Sequence, residues 1–115
     1  MIEKGFYYHY KHDPQKGMFD AAYEVTGCAF NTEAGGSVHS DDPSVFLETE
    51  VVIYRPLFAD SLVYKADGRS WIRPAKMFLE VVDQGGQEKT RFIRVTDREI
   101  VEKLEKARDD LYPNA

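Results

Sequence analysis

Aromatic and cationic side chains lie side by side at three places in this 115-residue chain, and together they could bind a ligand. They are Tyr8, His9, Tyr10, Tyr54, Arg55, Trp71 and Arg73, with Lys11 following the first group. An aromatic ring can stack on a flat ligand, and a guanidinium presents a planar fork of donors to a phosphate or carboxylate. The residue types therefore predict a groove for a small anionic ligand or a protein partner. The alternative is that the rings fill a core and the arginines pair with Glu48, Glu50 or Asp60.

A catalytic use of the same residues is a second hypothesis. Histidine is the natural base near neutral pH, so His9 with Arg55 and Arg73 as anion clamps could act on an anionic or nucleotide-like substrate. Cys28, His9 and Asp60 could form a nucleophile, a base and an orienting acid, but most chains offer such a trio by chance. We therefore expect a non-catalytic binding or adaptor module. The alternatives are a small enzyme and a purely structural or oligomerisation protein.

Metal and cofactor signals are weak. No Gly-rich loop joins a strand to a helix, and a single cysteine, Cys28, does not make a cysteine-based zinc site. His9 and His12 are three residues apart, a spacing that puts them on opposite faces of a strand. The sequence therefore predicts neither a metal site nor a cofactor. The segment GCAF also predicts that Cys28 is a small buried side chain rather than a nucleophile.

The charge of the chain argues against nucleic acid as its main partner. There are 15 Lys and Arg against 20 Asp and Glu, a formal net charge of −5. Residues 21–60 hold one basic and seven acidic residues, whereas residues 61–95 hold seven basic and four acidic ones, so a local positive strip could still attract an anion. No apolar run is long enough to span a bilayer, and the first residues lack a signal-peptide pattern. We expect a cytoplasmic protein without membrane contact, and a homo-oligomer is compatible with the sequence.

Alternating apolar and polar residues predict a mainly β chain of six or seven short strands. The predicted strands cover residues 5–11, 23–30, 45–58, 61–65, 70–73, 77–82 and 91–95. Turn residues occupy 12–20, and Gly27 should bend the second strand. The longest strand, 45–58, is expected to be central until Pro56 removes a donor. The polar and acidic stretch 31–44 predicts a mobile surface loop.

Two pairs of these strands are predicted to form hairpins. Asp67-Gly68 is a dipeptide that readily adopts positive φ, so it predicts a two-residue turn between the fourth and fifth strands. Gly85 and Gly86 predict a second turn between the sixth and seventh strands.

The C-terminal part of the chain changes to a helical period. A capping pattern predicts a helix that starts at Thr96 or Asp97 and ends at Pro113. Its single apolar stripe should pack on its own domain, or else against a second copy of the chain. We therefore expect one domain over residues 1–115, with a β-rich body at 2–95 and a helix at 96–112. The architecture is expected to be a curled antiparallel sheet or a small barrel.

Four segments of the chain occur in an order that resembles a known family. They are GFYYHYK at 5–11, YEVTGCAFNTE at 23–33, TEVVIYRPLF at 49–58 and WIRPAKMFLEVV at 71–82. The small bacterial family catalogued as domain of unknown function 1653 is similar in its Tyr-x-His-aromatic-Lys, Tyr-x-Val-x-Gly, Val-Val-x-Tyr-Arg and Trp-x-Arg-Pro-x-x-Met-Phe motifs. The last motif is the most specific. The resemblance covers residues 5–93 and leaves out the helix.

The resemblance implies a fold but no activity. It favours a mainly β domain, a small SH3-like antiparallel barrel or curled sheet of six to seven strands with one C-terminal α-helix. The family often has a His where this chain has Asn31, so a ligand or base at that position is not expected here. It also often has Tyr-Gly-Asp where this chain reads Phe58-Ala59-Asp60.

Overall fold

The computed structural model describes residues 2–31, 50–57 and 70–112, which form seven strands and two α-helices. The strands are β1 (Gly5–His9), β2 (Ala22–Phe30), β3 (Glu50–Pro56), β4 (Trp71–Pro74), β5 (Val81–Gln84), β6 (Gln87–Thr90) and β7 (Phe92–Arg94), and the helices are α1 (Ala75–Phe78) and α2 (Arg98–Leu111). Five strands form one antiparallel sheet in the order β4-β3-β2-β1-β7, and β5 pairs with β6 separately. The chain is therefore mainly β with a C-terminal helix, as predicted.

The first two strands follow the alternation in the sequence closely. The ladder between β2 and β3 shifts register between Val25 and Gly27, which confirms the predicted bend. Between β1 and β2 the predicted turn region 12–20 contains a 3-10 turn over Pro14–Lys16. The Asp13 carboxylate accepts a backbone N–H at the start of this turn, as capping residues do at helix starts.

β3 is not the central strand that its length suggested. β1 pairs with both β2 and β7, so β2 lies in the middle of the sheet and β3 lies second from one edge. On the other side of β3, Tyr54 lies opposite Trp71 of β4. The predicted loop at 31–44 falls outside the described residues except for Asn31, and so does the predicted turn at Asp67-Gly68.

The turn at Gly85 and Gly86 is confirmed, but it joins shorter strands than predicted. Both glycines have positive φ, 62° and 87°, which a residue without a side chain adopts easily. The turn connects β5 to β6. The last predicted strand is present as β7, but it pairs with β1 and not with residues 77–82.

The predicted strand at 77–82 is wrong at its start, because Met77 and Phe78 belong to α1. Pro74 immediately precedes this helix, and the helical turn after it brings Phe78 into the core. There the Phe78 ring stacks on Phe92 with 4.1 Å between the ring centroids. Burial of this ring therefore outweighs the strand propensity of the apolar run around it.

The helix α2 covers one face of the five-stranded sheet, which we call the helix face. Leu104 of α2 is fully buried in a cluster with Phe6, Ala22, Leu57 and Val95. The Asp97 carboxylate accepts the backbone N–H groups of Glu99 and Ile100, so of the two predicted starts Asp97 is confirmed and Thr96 is not. Packing of the apolar stripe on its own sheet is confirmed as well. No helix in the described part of the chain is both long enough and apolar enough to cross a membrane.

The opposite face of the sheet is concave and carries most of the aromatic rings, and we call it the aromatic face. In a flat sheet with strands ~4.8 Å apart, the outer strands β4 and β7 would be about 19 Å from each other. Instead the Arg73 guanidinium of β4 lies 5.4 Å from the centroid of the Phe92 ring of β7. The sheet is therefore curled around its aromatic face. Among the described residues β4 and β7 do not pair, so no closed barrel is formed.

Candidate functional site

The sheet separates the seven predicted site residues onto its two faces. The helix face carries Tyr8 and Arg55, the aromatic face carries His9, Tyr54, Trp71 and Arg73, and Tyr10 follows the end of β1. These residues therefore do not line one groove, and the single predicted groove is corrected to two separate groups. The reason is strand alternation, since the sequence neighbours Tyr54 and Arg55 must point to opposite faces.

Arg55 on the helix face belongs to a buried ion network. Its Nη2 lies 2.8 Å from Oε1 of Glu24, and its exposed fraction is only 9%. The second carboxylate oxygen, Oε2, accepts a hydrogen bond of 2.9 Å from Arg108 of α2. This hydrogen bond is the main reason that the pKa of Arg108 is raised. Arg55 thus pairs with an acidic residue, as the structural alternative predicted, although the partner is Glu24 and not one of the acids named from the sequence.

Tyr8 connects the turn region at residues 12–20 to the helix face of the sheet. Its hydroxyl donates a hydrogen bond of 2.6 Å to the Met18 carbonyl oxygen, and burial raises the pKa of this phenol. The Tyr8 ring stacks on His12 with 3.7 Å between the centroids. Tyr8 and His12 therefore hold the turn region against the sheet, and both rings have partners within the fold.

On the aromatic face, Tyr54 is a core residue and Arg73 lies above it. Tyr54 is 3% exposed, and the half-buried Trp71 packs on it edge to face with 5.9 Å between the ring centroids. The Arg73 guanidinium lies 5.9 Å from the Tyr54 centroid and close to Phe92 as well. Arg73 is half-buried, and no carboxylate among the described residues pairs with it. It is therefore a cation held over rings.

His9 lies beside Arg73 and is kept neutral by its surroundings. Burial of the ring lowers the pKa of His9, and the nearby charges of Arg73, Arg91 and Lys11 lower it further. The ring packs edge to face on Phe92 with 5.2 Å between the centroids. Its Nδ1 accepts the backbone N–H of Lys11 at 3.2 Å. His9, Lys11, Arg73 and Arg91 together form what we call the cationic cluster.

Arg91 is the member of this cluster that the sequence did not reveal. It lies between β6 and β7, and its Nη2 is 3.2 Å from Oε2 of Glu80. Its Nε is buried and has no hydrogen-bond partner in the part of the chain that the structure describes. The sequence pattern places Arg91 at the start of the predicted strand 91–95 and gives it no separate role. The only available signal was the positive charge balance of residues 61–95.

Cys28 is exposed, which corrects the prediction that it is a buried side chain. The ladder between β1 and β2 ends at Val25, and beyond it the Cys28 Sγ lies 3.6 Å from the carbonyl oxygen of Ile2. Partial burial of the thiol and the nearby Glu50 carboxylate raise the pKa of Cys28, which disfavours the thiolate that a nucleophile needs. The backbone of His9 bonds to Ala21, about 20 Å along the strand from Cys28, so the two cannot form a catalytic pair.

No three His, Cys, Asp or Glu side chains within residues 2–31, 50–57 and 70–112 converge in a way that could hold a metal ion. Asp60, the third member of the hypothetical catalytic trio, lies outside the described residues. The aromatic face presents guanidinium, imidazole and aromatic groups, and side chains of these types can bind anions and flat rings.

Comparison with known proteins identifies the chain only at the level of its family. No curated protein and no protein of solved structure matches it. A family model described as a protein of unknown function (DUF1653) matches residues 5–94. This range runs from the first residue of β1 to the last residue of β7, includes the cationic cluster and leaves out α2. The chain therefore belongs to the DUF1653 family of proteins of unknown function.

Proposed function

We propose that this protein is a non-catalytic binding module, and that the cationic cluster beside Trp71 binds a flat aromatic ligand that carries an anion. The observation that carries the proposal is the position of Arg73. Its guanidinium is half-buried over the rings of Tyr54 and Phe92 without a carboxylate partner among the described residues. A partly desolvated cation of this kind is stabilised by an anion that arrives from outside the fold.

Comparison with the other described arginines shows that the lack of a described carboxylate partner at Arg73 is unusual. Arg55, Arg91, Arg94 and Arg108 each pair with a carboxylate of the same chain. Among the described arginines, only Arg73 and the exposed Arg98 at the start of α2 have no such pair. The chain carries an excess of acidic residues, and yet no acidic residue in the described part of the chain pairs with the half-buried Arg73. This contrast supports a ligand rather than a structural partner for Arg73.

The rings around Arg73 support the aromatic part of the ligand. Trp71 is half-buried two residues before Arg73 on the same face of β4, and Tyr10 is partly exposed beside His9, with 4.6 Å between their ring centroids. Flat ligand rings stack on such side chains with little dependence on their substituents. A nucleotide-like molecule or another aromatic anion has both of the features that this surface would recognise.

The geometry favours binding over the enzyme and oligomer alternatives. Arg55 and Arg73 lie on opposite faces of the sheet, so they cannot clamp the same anion beside His9. The lowered pKa of His9, caused first by burial, also makes it a weak base. The apolar stripe of α2 is used within the domain and is not available for a second copy. The SH3-like arrangement stays a prediction, since the proposal needs only the curled sheet.

The proposal is tested by titrating the fluorescence of Trp71, the single tryptophan of the chain, with nucleoside monophosphates and with the corresponding neutral nucleosides. We expect a saturable change with at least one monophosphate and a response at least about tenfold weaker from the nucleosides. Arg73→Gln should abolish the saturable change. Arg98→Gln is the matched control, because this arginine is exposed, and it should bind like the wild type.

Two outcomes would contradict the proposal. One is a Trp71 signal that no aromatic anion changes, although thermal unfolding shows that the protein is folded. The other is equal affinity of the wild type and Arg73→Gln for the same monophosphate.

A further inference from the structure

We infer that the cationic cluster selects a doubly charged anion, the kind that a phosphate monoester carries, over a singly charged one. The inference rests on the proposed function, because it specifies the charge of the anion that the same site would bind. Two independent features of the cluster support it, its charge balance and its hydrogen-bond donors.

The charges of the cluster leave two positive units without compensation. Arg73, Arg91 and Lys11 are all positively charged near neutral pH. Among the residues that the structure describes, one carboxylate pairs with them, that of Glu80 with Arg91. His9 adds no charge as long as its ring is neutral. A singly charged anion would leave one positive charge unbalanced, whereas a dianion brings the local charge to zero, and this raises its affinity relative to a monoanion.

The donors of the cluster fit an anion with several oxygen atoms. The half-buried Arg73 guanidinium forms no ion pair with a described carboxylate, so its N–H groups can donate to the oxygens of a ligand. A phosphate monoester offers three acceptor oxygens to such donors.

His9 adds a second donor group, because its hydrogen bond fixes the tautomer of the neutral ring. Nδ1 accepts the Lys11 backbone N–H, so the proton of the neutral imidazole is on Nε2. No described residue forms a hydrogen bond with Nε2. A proton added at Nδ1 would break the bond from Lys11 and bring a fourth positive charge next to the two arginines. His9 therefore serves the site as a neutral donor and not as a base.

The test uses three ligands that share one ring and differ in charge: phenyl phosphate, phenyl sulfate and phenol. Each is titrated into the ¹⁵N-labelled full chain at about pH 8, where a phosphate monoester is doubly charged. The Trp71 indole N–H and the arginine Nε–H signals report binding. Phenyl phosphate is expected to bind at least about tenfold more tightly than phenyl sulfate, which has the same number of terminal oxygens and one charge less. Phenol should give no saturable shift.

A charge variant separates the charge count from other causes of selectivity. Lys11→Gln removes one positive charge but keeps the backbone N–H that binds His9, so it should reduce the preference for phenyl phosphate over phenyl sulfate several-fold. Lys16→Gln removes an exposed charge from the 3-10 turn and should leave the preference unchanged. In the phenyl phosphate complex, the His9 ¹⁵N shifts should show the proton on Nε2.

The outcomes distinguish this inference from the proposed function. Equal affinities for phenyl phosphate and phenyl sulfate, both lost in Arg73→Gln, would overturn the selection of a dianion and leave the binding module in place. An unchanged preference in Lys11→Gln would show that the charge count is wrong. If neither anion gave a saturable shift, the proposed function would fail together with the inference.

Discussion

Arg55 and Arg73 lie on adjacent strands of one sheet, and the residue types around them made them look alike in the sequence. On the helix face, both oxygens of the Glu24 carboxylate are used, one by Arg55 and the other by Arg108. On the aromatic face, Arg73 lies over rings and no described carboxylate pairs with it, and its charge acts on His9 together with the charges of Arg91 and Lys11.

The difference shows how the partner of an arginine separates a structural role from a binding role. The helix-face network joins β2, β3 and α2 through the buried Glu24 and Arg55 and the partly exposed Arg108, and these charges are paired without a ligand. The cationic cluster gathers like charges, which repel each other until an anion is added. We therefore expect changes on the helix face to reduce stability, and changes on the aromatic face to reduce binding.

The largest effect is expected for Glu24→Ala. This substitution leaves Arg55, which is 9% exposed, without its carboxylate and also releases Arg108. Removing one partner of a buried ion pair costs about 3–5 kcal/mol, because the remaining charge is left without compensation. The free energy of unfolding in urea measures this loss. Glu102→Ala on the exposed side of α2 is the control and should change it by less than about 0.5 kcal/mol. A loss of less than about 1 kcal/mol for Glu24→Ala would contradict a structural role for the network.

Arg55→Met is expected to have the second-largest effect on stability. Methionine keeps much of the packing on Tyr112, whose ring centroid lies 4.2 Å from the Arg55 guanidinium, but it removes both hydrogen-bonding contacts to Glu24. Hydrogen bonds to charged groups contribute about 1.5–3 kcal/mol, and we expect a loss of that size in urea unfolding. Ligand titrations on the aromatic face should be unaffected. If this variant kept its stability and lost ligand binding, Arg55 would have the binding role that we assign to the aromatic face.

A smaller effect concerns pH. Burial, followed by the charges of Arg73, Arg91 and Lys11, lowers the pKa of His9 below its ordinary value of 6.5. As the pH falls below about 6.5, the unfolded chain binds a proton before the folded chain does, so the free energy of unfolding decreases. His9→Gln cannot take up this proton. Between about pH 7.5 and pH 5, the wild type should therefore lose more stability than His9→Gln. The difference between the two losses should be smaller than the loss that both proteins share. Equal losses would show that the pKa of His9 is not lowered in the folded protein.

Local features of the fold could be predicted because they depend on neighbours in the sequence. The alternation in β1, the glycine turn before β6 and the start of α2 at Asp97 each follow from a few adjacent residues. α1 could not be predicted in this way. The ring of Phe78 packs in the core on Phe92, which is fourteen positions later in the chain. The residues next to Phe78 in the sequence do not indicate this contact.

Only part of the candidate site could be predicted, because the sequence shows local patterns and not contacts between distant residues. Strand alternation already separates Tyr54 from Arg55, so the sequence contained the argument against a single groove. The sequence did not indicate which acidic residue pairs with Arg55. Glu24 is 31 positions from Arg55, and the register that aligns them depends on a ladder with a bulge in it. Arg91 joins the cluster only because β7 pairs with β1 and brings it towards His9.

The central claim is that Arg73 is kept for a ligand and not for the fold, and the free energy of unfolding of Arg73→Met without ligand tests it most directly. Methionine can cover the rings of Tyr54 and Phe92, and it removes a half-buried charge that has no described carboxylate partner. The account predicts stability within about 1 kcal/mol of the wild type, or slightly above it, because functional sites are often not optimised for stability. A loss as large as that of Arg55→Met would contradict the account and would place Arg73 among the structural arginines.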